Sequence, residues 1–83
     1  MNTAFMLMAK YDGNPLIDIE DVRRDFFSEL SLATFVRRLD SRDIPLPYVR
    51  MNATQKGRKT ISLADLASFI DERIKVSKRE MAN

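Results

Sequence analysis

The sequence predicts a mainly α domain of four helices carrying one small β-hairpin. Three observations lead there. Apolar residues recur at helical spacing in four stretches, each preceded by a side chain suited to capping a helix. A proline-bounded stretch, Ile44-Pro45-Leu46-Pro47, leads into alternation at 48–51, and a polar turn containing Gly57 leads back through Thr60-Ile61. Finally, 83 residues that are 45 % hydrophobic and 31 % charged match one ordinary globular domain spanning 1–83. A chain of this size buries only roughly 60 % of its unfolded surface, so dimerisation is a natural supplement.

Asn2 or Thr3 caps a first helix to about Tyr11, within a segment 1–14 that ends on the turn signal Asp12-Gly13-Asn14-Pro15. Phe5, Met6, Leu7, Met8 and Ala9 make this helix apolar nearly all round, so it calls for cover on several sides. Leu16-Ile17 reads as one short strand. Asp18 then caps a second helix, with acids in its first turn to suit the helix dipole. Its Ile19, Val22, Phe26 and Leu30 should face the core, while Arg23, Arg24 and Glu29 face out. Ser31 caps a third helix, 32–41, with Leu32, Phe35, Val36 and Leu39 on one face and Ala33, Thr34, Arg37, Arg38 and Ser41 on the other. The hairpin occupies 48–61. Ser62 opens a closing helix, 62–76, in which Leu63, Leu66, Ala67, Ile70 and Ile74 form a stripe; the polar 77–83 should fray. Phe69 widens that stripe towards the first helix or a second subunit.

Net charge is only +2, but it is unevenly distributed. Residues 1–30 balance at −3, residues 31–61 at +5 and residues 62–83 at zero. The cations gather on the third helix and the hairpin, the footprint expected where phosphates are neutralised. A solvated basic face is the plainer reading of the same residues. Catalysis fails on inventory: without histidine or cysteine the commonest general base and the thiol nucleophile are missing, and no glycine-rich phosphate cradle is present. No metal and no cofactor are expected. Asp18, Glu20, Asp21 and Asp25 are explained by capping. No apolar run approaches the ~18 residues of a membrane span, and the N-terminus does not read as a signal peptide, so the cytoplasm is the expected compartment.

Two amphipathic helices followed by a basic hairpin make a winged helix-turn-helix, a fold that reads double-stranded DNA with its second helix in the major groove. The recognition-helix candidates are Ala33, Thr34, Arg37, Arg38 and Ser41. An arginine there can fork to guanine, and a threonine methyl can meet thymine. Arg24, Arg50, Gln55, Lys56, Arg58 and Lys59 are the wing and backbone candidates, suited to phosphates. Phe5, Met6, Met8 and Phe69 are candidates for an oligomer interface.

The segments MNTAFMLMAKYDG, IDIEDVRRDFF, IPLPYVRM and SLADLASFID carry a resemblance to the pyocin activator (PrtN) family of small bacterial and prophage transcription regulators. That resemblance implies a transcriptional activator acting on promoter-proximal repeats of bacteriocin or phage-like genes. Its partners would be DNA, RNA polymerase and a second copy of the chain. The architecture is also similar to MerR-like excisionases, which implies a DNA-bending alternative. A protein-interaction module without DNA binding is the other alternative.

Overall fold

The computed structural model describes residues 2–52 and 58–82. Four helices, α1 (Thr3–Lys10), α2 (Ile19–Phe26), α3 (Leu32–Ser41) and α4 (Leu63–Ala82), surround a three-stranded antiparallel sheet of β1 (Leu16–Asp18), β2 (Val49–Arg50) and β3 (Lys59–Ser62). The expected mainly α fold with a β-hairpin is the one found.

Local chemistry sets most boundaries. The Asn2 side chain accepts the Phe5 N–H at 3.1 Å and starts α1. Asp12 and Gly13, at φ 56° and 76°, end it, and the Gly13 N–H returns to the Met8 carbonyl at 2.7 Å. That left-handed turn explains a glycine at 13. Asp18 caps α2 through the Glu20 N–H, Ser31 caps α3 through the Thr34 N–H, and Ser62 caps α4 through the Asp65 N–H.

β3 lies in the centre of the sheet. Ile61 pairs with Ile17 of β1, while Thr60 pairs with Asp18 on one side and Val49 on the other. Thr60 is buried, and its hydroxyl donates to the Val49 carbonyl, which leaves that polar group satisfied. The Leu63 N–H donates to the Pro15 carbonyl, so the first turn of α4 is tied to the start of β1. Beneath the sheet lies one core, with Val22, Phe35, Ile61 and Leu66 fully buried. The Phe27 ring stacks on Phe35 at 4.7 Å.

Several expectations are corrected. Phe27, half-buried, packs against the core in place of the expected Phe26, because the chain leaves α2 after Phe26 and turns the next ring inward; Phe26 is left 38 % exposed. Arg23 does not face out: its guanidinium forks onto Glu20 and donates to the Leu30 carbonyl at 2.9 Å, holding the turn between α2 and α3. Leu32 and Ile74, placed on buried stripes by spacing, are largely exposed. The closing helix does not stop near Val76 but runs to Ala82. Lys78, Arg79, Glu80, Met81 and Ala82 are all good helix formers, and polarity is no stop signal where glycine and proline are missing.

Candidate nucleic-acid interface

Phe35 and Leu39, 0 % and 5 % exposed, seat α3 in the core and thereby fix which side chains it presents. Ala33, Arg37, Arg38 and Ser41 are exposed, and Thr34 is half-buried. Arg37 and Arg38 each lie three or four residues from both Thr34 and Ser41, so the four share a face. Two of them also serve the helix itself. Thr34 Oγ1 is hydrogen-bonded to Ser31 Oγ at 3.0 Å within the cap, and Ser41 Oγ donates to the Arg38 carbonyl at 3.2 Å. The Arg37 and Arg38 side chains have no hydrogen bond or ion pair among the described residues, so their guanidinium groups remain open to a ligand.

A short polar chain connects α3 to the hairpin. The Tyr48 hydroxyl donates to Asp40, and Arg50 donates to that hydroxyl at 3.4 Å while its guanidinium lies 5.9 Å from the Tyr48 ring centre. The bond to Tyr48, helped by the charge of Asp40, raises the Arg50 pKa above its ordinary value. Arg50 also pairs across the hairpin with Lys59, which brings two cations to one rung. Tyr48 itself is half-buried against the core, a packing residue as its setting at the strand edge suggests.

The remaining wing and backbone candidates are differently placed. Arg58 binds Asp18 at 3.3 Å, so it serves the α2 cap. Arg24 binds Asp21 and Asp25 at 3.0 and 3.2 Å. Its pKa is raised chiefly by the hydrogen bond to Asp25. Gln55 and Lys56 lie outside the described residues. Phe5, Met6 and Met8 are exposed on α1, whose Leu7 is buried, while Phe69 turns inward with its ring 5.9 Å from that of Phe27.

Arg42 escaped sequence reasoning as a site residue. It ends α3 with φ 67°, in the left-handed region, and its side chain is exposed beside Asp40, Tyr48 and Arg50 around one open hollow. The Arg37-Arg38-Arg42 run was visible as charge, but the backbone turn that sends Arg42 towards the hairpin was not.

The third helix of this mainly α domain thus presents, beside a β-hairpin, two exposed arginines with no hydrogen bond or ion pair among the described residues. The family model described as pyocin activator protein PrtN matches residues 3–76, and the chain belongs to that family. No curated protein and no solved structure matches the chain. The family's description is that of an activator protein, which points to a regulatory role for the chain. Among the described residues no helix is long and apolar enough to cross a membrane.

Proposed function

We propose that this chain is a sequence-specific DNA-binding activator of bacteriocin or prophage genes, acting in the cytoplasm through a winged helix-turn-helix. The reading rests chiefly on one observation. Arg37 and Arg38, which have no carboxylate partner among the described residues, sit on a helix that packing and the Asp40–Tyr48–Arg50 chain tie to the hairpin. In this reading α3 enters the major groove with Ala33, Thr34, Arg37, Arg38 and Ser41 towards the bases. Arg50 and Lys59, joined by Arg42, Gln55 and Lys56, hold phosphates along the flank. Arg24 and Arg58 act at one remove, since a carboxylate already engages each. Two copies occupy a repeat or palindrome, with reading helices about 34 Å apart. The exposed Phe5, Met6 and Met8 of α1 supply a surface for a protein partner, RNA polymerase among them.

The test separates the two roles. Arg37→Ala should lose about 1–3 kcal/mol on the operator and relax sequence choice at one position. Lys56→Ala should weaken binding to all sequences alike and lower the salt slope by about one. Footprinting of selected genomic fragments, followed by titration at several salt concentrations, reads both. Identical behaviour of the two variants would defeat the division into reading helix and phosphate-holding wing.

A further inference from the structure

α4 runs well beyond the part of it that the core buries. Twenty residues of helix reach about 30 Å. The helix is buried at Leu63, Leu66 and Ala67, half-buried at Phe69 and Ile70, and largely in solvent beyond. Its apolar stripe nevertheless continues. Leu63, Ala67, Ile70, Ile74, Ser77 and Met81 follow at intervals of 4, 3, 4, 3 and 4 residues, the repeat of a helix that packs along another helix. The domain core covers the first half of this seam, whereas Ile74 and Met81 are 46 % and 85 % exposed. Beside the uncovered half, Phe26, Phe27, Phe69, Ile70, Ile74 and Ser77 line an open, mainly apolar groove of about 500 Å³.

We infer that the uncovered half of α4 pairs antiparallel with α4 of a second copy. The charges flanking the seam select both occupant and direction. Let the helices run antiparallel, with Ile74 meeting Ser77 and Ile70 meeting Met81. Asp71 then lies near Lys78 of the second copy and Arg73 near Glu80, and symmetry repeats each pair. All four contacts join opposite charges. Laid parallel and in register, the same helices would set Arg73 against Lys78 twice, like against like. Flanking charges of this kind fix partner and orientation in paired helices. Intrachain bonds leave the pattern standing: Glu72 and Arg79, which pair with each other, sit on the outer face, and Asp71 accepts one bond from Thr3. The groove beside Ile74 receives the flank of the second helix, with Phe26 at its rim.

Oligomeric state is measured without DNA, so this inference and the DNA reading stand or fall separately. Sedimentation velocity of the full chain over a concentration series should show a dimer. Ile74→Asp, at a position outside the core, should raise the dimer dissociation constant about tenfold or more with an unchanged circular dichroism spectrum. Arg73→Glu should also weaken the dimer, and Arg73→Glu with Glu80→Arg should restore it. A parallel pair would instead be tightened by Arg73→Glu alone. That result, a monomer at every concentration, or a dimer broken by Phe5→Asp but not by Ile74→Asp, overturns the proposal. Should Ile74→Asp fail to fold, the charge-swap series decides alone.

Discussion

Arg42 occupies a left-handed backbone conformation at the C-terminus of α3. For a residue bearing a Cβ that conformation costs about 1–2 kcal/mol, which glycine escapes. Glycine gives back about 0.4–1 kcal/mol through the freedom of the unfolded chain. Arg42→Gly should therefore stabilise the protein by roughly 0.5–1 kcal/mol, read as a higher urea midpoint at constant slope. On the proposed interface the same change removes a cation from the end of the reading helix. DNA affinity should fall while stability rises, opposite signs that a purely structural arginine would not produce.

Among the elements, α3 carries the most consequence, and its start depends on one hydroxyl. Ser31 Oγ accepts the Thr34 N–H and also meets the Thr34 hydroxyl. Ser31→Ala should cost about 1 kcal/mol in denaturant unfolding, and it frees Thr34 to rotate. Capping of this kind is written locally, which is why Asn2, Asp18, Ser31 and Ser62 could be named from the sequence, as could the Ile44–Pro47 connector. Contacts between distant segments could not. The pairing of β1 with β3 joins residues 16–18 to 60–62, and hydrophobic spacing says nothing about which strands meet. Arg58 and Asp18 lie 40 positions apart, so nothing in the hairpin sequence shows that this cation is engaged. Periodicity also misplaced Phe26, the last residue of α2, because the chain leaves the helix at the next residue and Phe27 packs against the core instead. Arg37 and Arg38 were legible because an exposed face is the complement of a buried one on the same helix.

At the scale of the molecule, stability should depend on pH through the contact between the end of α1 and α2. Tyr11 donates its hydroxyl to Asp25 at 2.8 Å, and Lys10 and Arg24 flank that carboxylate. Burial, then the bond to Asp25 and its negative charge, push the Tyr11 pKa well above the ordinary tyrosine value. The bond from Tyr11 and the neighbouring Arg24 and Lys10 hold Asp25 below the usual carboxylate range. A raised tyrosine stabilises the fold below its unfolded value near 10 and loses that contribution as pH climbs further. A depressed aspartate stabilises it above about 3.9 and loses that contribution on acidification. Tyr11→Phe should cost about 1 kcal/mol at neutral pH and flatten both limbs of a plot of unfolding free energy against pH.

The connector after α3 has its own consequence. Ile44 and Leu46 are buried, Pro45 and Pro47 between and after them are exposed, and β2 begins two residues beyond. Alternate anchoring and ring-restricted torsions leave this strap little room to stretch or swing. Helix and hairpin thus behave as the fixed jaws of a caliper. On the proposed interface, a duplex whose groove width does not suit their separation would have to be bent or squeezed to fit, and stiff sequences would resist. Selection among sites would then operate at base pairs that no side chain touches.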